Sequence, residues 1–256
     1  MKIAVCIISL GAILLGSCQS KETAYPVIEN SVTQTETAQD GANEVLDVRT
    51  IPTLEKLSIT PVNESKGNKS LTEFINLLKQ AIKNRDVKTL YSLMDTNVIS
   101  SHGGGLYGFK DLEYLWGDPK GKFLWEDMNR IVNLGGAFQS SDTIFRMPYC
   151  DVDRFFKDVK DQEWYSMCVC LRNGVPLYSS GSVKSDTLAL MNYSIVHIYQ
   201  LGENNPPKGF LKVTSEENGV VGYVLKKEVY QTADYAMDIE KQKDGTWRIN
   251  SFAPYD

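Results

Sequence analysis

The closing stretch 234–256, "DYAMDIEKQKDGTWRINSFAPYD", decides how the rest of the chain is read. Tyr235, Met237 and Ile239 alternate with polar residues, Asp244-Gly245 supplies a turn, and Trp247, Ile249 and Phe252 continue beyond it. A period of two broken by an Asp-Gly pair is an antiparallel hairpin with one buried face. A hairpin cannot cover that face alone, so the partner must come from earlier in the chain.

Upstream the period is helical. "SLTEFINLLKQAIKNRD" begins at Ser70 with Ser-x-x-Glu, the spacing of a capping box. Leu71, Phe74, Ile75, Leu78 and Ile82 mark one face. "DVKTLYSLMD" (86–95) and "FKDLEYLWGD" (109–118) read as shorter helices. "KFLWEDMNRIVNLGG" (122–136) reads as a fourth, with Phe123, Leu124, Met128, Ile131 and Val132 inward and Gly135-Gly136 as its stop. "DTIFRMPY" (142–149) then reads as a strand. Helices followed by antiparallel strands predict an α+β domain with a curved sheet.

Between strand and hairpin lies "CVCLRNGVPLYSSGSVKSDTLALMNYSIVHIYQLGENNPPKGFLKVTSEENGVVGYVLKKEVY" (168–230). Its short β-rich runs and frequent turn residues predict a small all-β barrel. Its order is similar to a bacterial SH3 domain. Val169-Cys170-Leu171-Arg172 stands at the first strand, "GFLKV" (209–213) stands for the usual Gly-Trp-x-x-Val, and "VGYVLKKEV" (221–229) stands at the closing strand. Phe210 replaces the usual tryptophan, and Tyr193-Ser194 replaces a common Lys-Gly turn. The flanking pieces, with "KDGTWRINSF", resemble the NTF2-like cone fold. Together the halves resemble uncharacterised bacterial lipoproteins that carry an SH3-like barrel inside an NTF2-like domain. The expected boundaries are residues 70–165 for the first part of the α+β domain, 166–231 for the barrel, and 232–256 for the terminal hairpin.

The amino terminus bears on location. "MKIAVCIISLGAILLGSC" has one basic residue, an apolar run from Ile3 to Leu15, a small pair, and Cys18. The run is shorter than the roughly 20 residues that span a bilayer and has the size of a signal-peptide core. Leu15-Gly16-Ser17-Cys18 resembles the lipobox of bacterial lipoproteins. By that resemblance residues 1–17 are removed and Cys18 carries the acyl chains, each buried methylene adding about 0.8 kcal/mol of membrane affinity. Gln19, where Asp would signal inner-membrane retention, points to the outer membrane. Residues 18–69, rich in Ser, Thr, Asn, Glu and Gln, read as a largely disordered tether spanning about 40 Å, with the more apolar "VLDVRTIPTLEKLSI" (45–59) able to dock.

The chain has 256 residues and a formal net charge of -5; losing Lys2 with the signal makes that -6. This balance disfavours nucleic acid and acidic lipid as partners. "SSHGGGLYGFKDL" (100–112) sets His102 beside three glycines. Read between two helices, it is a sharp bend, with a pocket-lining role for His102 as the lesser alternative. It lacks the Lys-Ser or Lys-Thr pair of a phosphate loop, and no cofactor motif occurs elsewhere. After processing, Cys150, Cys168 and Cys170 remain. They are buried thiols or one bridge from Cys150 to either partner, and no zinc-ligand spacing accompanies them. The acids of "CDVDRFFKDVKDQEW" (150–164) read as a solvated connector face. The SH3-like resemblance implies recognition of cell-wall peptide or glycan, or of an envelope protein, by rim aromatics. Tyr178, Tyr193 and Phe210 are the candidates. The expected role is therefore binding or scaffolding without catalysis. The alternative is a small hydrolase or isomerase using the cone pocket.

Overall fold

The computed structural model describes residues 50–101, 103–116, 122–159, 164–199 and 205–254. Cys18 and His102 lie outside the described residues. The described residues form an α+β architecture with four α-helices and two mixed sheets. None of the helices is long and apolar enough to cross a membrane.

The first sheet has the order β3-β2-β14-β13-β5-β4. Its strands are β2 (Met94–Ser101), β3 (Leu106–Tyr107), β4 (Ala137–Phe138), β5 (Ile144–Met147), β13 (Ala236–Lys241) and β14 (Trp247–Ala253). The hairpin forms as its alternation demands. Met237 lies opposite Phe252 and Lys241 opposite Trp247, with a bulge at Asp238/Ile239. Gly245 turns at φ 87°, and Asp244 Oδ1 accepts Thr246 N–H at 2.9 Å. On its other side β14 pairs in parallel with β2, a strand the sequence reading did not anticipate. Gly103–Gly105 therefore do not join two helices. They turn β2 back into β3, with Gly105 at φ 61° and Gly104 N–H donating to Ser101 Oγ at 2.9 Å.

Four helices accompany this sheet: α1 (Lys69–Asn84), α2 (Val87–Leu93), α3 (Gly108–Trp116) and α4 (Lys122–Leu134). Leu71, Phe74, Ile75, Leu78 and Ile82 of α1 join Met128, Ile131 and Val132 of α4 in one core with Phe145, Met237, Ile239, Trp247 and Phe252. The cap of α1 is Asn68, whose Oδ1 accepts Leu71 N–H at 3.1 Å, not the Ser70–Glu73 box. Ser70 Oγ instead accepts from Trp247 Nε1 at 3.0 Å and so ties α1 to β14. Gly135, at φ 81°, ends α4.

The second sheet has the order β1-β8-β7-β11-β10-β9-β6-β12. Its strands are β1 (Thr53–Leu54), β6 (Met167–Cys170), β7 (Val175–Tyr178), β8 (Thr187–Met191), β9 (Ile195–Ile198), β10 (Phe210–Ser215), β11 (Val221–Leu225) and β12 (Val229–Gln231). All pairs are antiparallel except β1 with β8. The expected barrel does not close: β1 and β12 are the two edges. The free edge of β8 is satisfied by β1, and a covered edge needs no ring closure.

β1 comes from the segment read as tether. Leu190 N–H donates to Pro52 O, Asn192 N–H to Leu54 O, and Ser194 Oγ to Leu54 O. Leu54 and Ile59 are buried, and Glu64–Gly67 forms a 3-10 turn. The order of residues 50–69 thus departs from the expected disorder because two apolar side chains and a row of backbone groups find partners on the sheet.

All four residues of β6 are buried. Cys168 and Cys170 face a core formed with Leu177, Val196, Val213 and Val224. Met167 and Val169 face another core with Ile59, Tyr149, Cys150, Phe156, Val159, Ile195 and Tyr230. This second core joins the all-β part to the connector 149–159. Each such side chain contributes about 1.5–3 kcal/mol on burial, so the junction is a cohesive unit.

Candidate functional site

Strand alternation builds a surface on the face of the second sheet opposite the Cys168–Val224 core. Leu177, Leu211, Val213 and Val224 point inward, which turns Tyr178, Lys212 and Tyr223 outward. Tyr178 lies opposite Tyr223 in register, and Tyr223 lies opposite Lys212. Tyr199 follows: its N–H donates to Lys212 O at 2.9 Å, and Lys212 Nζ sits 4.3 Å from its ring centre. At about 4.8 Å per strand the row Tyr178–Tyr223–Lys212–Tyr199 spans about 14 Å. All four side chains are half-buried. Gly222 permits the close β7–β11 approach, since a Cβ there would lie 2.8 Å from Tyr178 O and 2.7 Å from Leu177 Cγ. Lys208 and Lys226 are exposed at the end where β10 begins, near the Lys226 N–H to Gly209 O bond.

Of the three expected ligand-binding aromatics, the structure brings two together. Tyr178 and Phe210 meet edge to face with ring centres 6.1 Å apart. Phe210, two residues before Lys212 on β10, shares the outer face but is only 8% exposed, so it packs against the side of Tyr178 more than it offers a ring to a ligand. Tyr193 stands apart, in the β8–β9 turn at φ 51°, with its carbonyl accepting Ile59 N–H. It lies past Met191, whereas Tyr178 pairs near Thr187 at the other end of β8. Sequence reading did not select Tyr223, Lys212 and Tyr199 for this row; their odd-even phase relative to Leu211, Val213 and Val224 was the available signal.

A charged cluster lies beneath the junction. Arg146 on β5 donates through Nε and Nη2 to the two carboxylate oxygens of Asp238 on β13, each at 2.8 Å. Its Nη1 lies 3.5 Å from Asp151 and 4.0 Å from Asp153. Asp151 is 3% exposed, which corrects the solvated-connector reading for that residue. Burial pushes its carboxyl well above the usual range. Arg146 opposes this but is already engaged by Asp238, and Asp238 and Asp153 add repulsion. Burial also opposes the Arg146 charge, yet its bonds to Asp238 hold the guanidinium above its ordinary value.

Ser166, His197 and Glu216 form a second polar chain. Ser166 Oγ is 3.2 Å from His197 Nδ1, and His197 Nε2 is 2.8 Å from Glu216 Oε2. The latter approach is close but misaligned, leaving Nε2 without a hydrogen bond. The order suggests a nucleophile relay, but Ser166 is only 4% exposed. The chain links the turn before β6 to β9 and to the end of β10.

Cys150, Cys168 and Cys170 are unpaired and buried. Burial pushes the Cys150 and Cys168 thiols well up and Cys170 to about 12, which disfavours the free thiolate of a nucleophilic cysteine. Among the described residues no group of three or more His, Cys, Asp or Glu side chains is placed to hold a metal ion. The space between α1, α4 and the first sheet, where a cone pocket would lie, is filled by Leu78, Met128, Phe145, Trp247 and Phe252. No protein family matches this chain, and neither does a curated protein or a solved structure.

Proposed function

We propose that the chain is a lipid-anchored protein of the bacterial envelope that binds an extended ligand across the outer face of its second sheet. The observation that carries this reading is the Tyr178–Tyr223–Lys212–Tyr199 row, a half-buried aromatic platform with one cation in it. Lys208 and Lys226 add positive charge on a chain whose net charge is -5. An aromatic, locally basic surface suits a carboxylate-bearing cell-wall peptide or glycan, or an acidic segment of an envelope protein. The lipobox-like Leu15-Gly16-Ser17-Cys18 supports the anchor, with Gln19 favouring the outer membrane. The SH3-like reading draws support from the run β6-β9-β10-β11 with β12 beside β6, and the NTF2-like reading from helices laid on a mixed sheet closed by a terminal hairpin. The packed interior of the first sheet favours binding over a hydrolase or isomerase working in a cone pocket.

The test is co-sedimentation with purified peptidoglycan at low salt. Each stacked ring is worth about 0.5–1.5 kcal/mol beyond area burial, so Tyr178→Ala or Tyr223→Ala weakens retention about two- to twelvefold. Lys212→Ala weakens it as well, and rising salt weakens the wild type. Both tyrosine variants must unfold at the wild-type temperature. Wild type that stays in the supernatant at low salt overturns the wall-binding reading.

A further inference from the structure

A cleft of about 150 Å³ opens between α4 and the β12–β13 connection, and none of the four residues of the aromatic row lines it. It is lined by Asp127, Arg130 and Ile131 of α4 and by Tyr230, Asp234 and Tyr235 of the β12–β13 connection. Helical spacing of three and four places the α4 residues on one face. Tyr230 is held by its hydroxyl, which donates to Tyr235 O at 3.2 Å.

The charges in this cleft do not balance. Arg130 is committed: Nη1 lies 3.3 Å from Asp234, and Nη2 donates to Val229 O at 2.8 Å. Asp127 has no hydrogen bond or ion pair with any described residue, although it is half-buried. One guanidinium therefore pairs directly with Asp234, and a second carboxylate, Asp127, stands in the same cleft with Arg130 near it but in no direct ion pair. We propose that the cleft binds a terminal aminoalkyl group, with Asp127 as the counter-ion of its ammonium, Tyr235 as the wall along its methylenes and the buried Ile131 and Tyr230 as the floor.

Four features select this ligand class. The spare charge is negative, so an anion is disfavoured. A hard divalent ion needs six or more oxygen ligands, and the cleft offers two carboxylates of which one is taken. Aromatic walls beside a carboxylate suit an organic cation, whose stem is apolar and whose head is charged. A volume near 150 Å³ is the size of cavity that accepts benzene, about six non-hydrogen atoms, which matches an ammonium on four or five methylenes. Burial raises the Asp127 carboxyl, with Arg130 opposing and Asp234 and Glu126 adding to the rise. A bound ammonium reverses that tendency, and binding strengthens as pH rises through the raised value.

The experiment is calorimetric titration of the full chain with n-butylammonium, 1-butanol and tetramethylammonium, repeated with Asp127→Asn. Hydrogen bonds to charged groups set the scale, so wild type should prefer n-butylammonium to 1-butanol by about tenfold or more. Asp127→Asn should lose that preference, and tetramethylammonium, without an N–H, should bind at least several-fold more weakly than n-butylammonium. Absence of n-butylammonium binding to wild type overturns the proposal. So does equal binding of 1-butanol, a comparison that needs no variant, or equal binding of n-butylammonium by a folded Asp127→Asn protein.

Discussion

Replacing Arg146 with Met removes the only cation that the described structure places among Asp238, Asp151 and Asp153. Arg146 and Asp238 have side chains 18% and 15% exposed, and Asp151 has one 4% exposed, so solvent screens little of what is lost. Breaking a buried pair from one side costs about 3–5 kcal/mol, because the remaining charge is left unpaired. For a folded body of this size that lowers the melting temperature by about 6–20 °C. Adding Asp238→Leu removes the stranded carboxylate and should recover at least half of the loss, since an apolar pair of similar volume is often neutral. Asp151 supplies the pH arm. Burial raises its folded-state pKa above the unfolded value near 3.9. Its favourable contribution is therefore complete below about pH 4 and is lost as pH rises through the folded value. Asp151→Asn should gain stability relative to wild type between about pH 4 and pH 7. Thermal unfolding across that range provides the measurement. A cost below about 1 kcal/mol for Arg146→Met would place the cluster with exposed surface pairs and refute the reasoning. An Asp151→Asn difference that shrinks as pH rises would do the same for Asp151.

Leu54→Ala should cost about 2–5 kcal/mol in denaturant unfolding, as for other buried leucines, and a loss below about 0.5 kcal/mol would mean β1 is not docked. Gly136→Ala should destabilise by more than about 1 kcal/mol, because its Cβ would fall 2.4 Å from Arg146 O and 2.6 Å from a ring carbon of Phe145; unchanged melting would contradict that packing. A fragment of residues 166–231 lacks β1 and uncovers Met167, Val169, Ile195 and Tyr230, so it should bind a hydrophobic dye and give poorly dispersed NMR spectra, whereas sharp native-like spectra would show that the all-β part needs neither. Labelled palmitate should enter the wild type and not Cys18→Ala, and equal labelling of both would remove the lipid anchor from the proposal.

The helices α1 and α4, the strand β5 and the terminal hairpin were legible in the sequence because each buries one face, and a one-faced element writes its period into adjacent residues. The Asp244-Gly245 turn and the Gly135 stop were legible for the same reason, since left-handed backbone asks locally for glycine. The SH3-like resemblance offered Tyr178, Tyr193 and Phe210 as candidates; Tyr178 and Phe210 meet, and Tyr193 stands apart in the β8–β9 turn.

What the sequence by itself determined is thus what depends on neighbours within a few positions: the α+β class, the helical faces and the hairpin. Tertiary structure alone decided the rest. β1 is two residues long and has no period to read; it exists because Leu190 and Asn192, more than 130 positions away, offer it backbone partners. Asp151 looked like one more surface acid until folding set it against Arg146 and closed the connector over both. The Tyr178–Tyr223–Lys212–Tyr199 row joins four separate strands or strand ends, and the register that aligns them is set by pairing across the sheet. Such features follow from contacts between distant segments, whose energies no local pattern of residues carries.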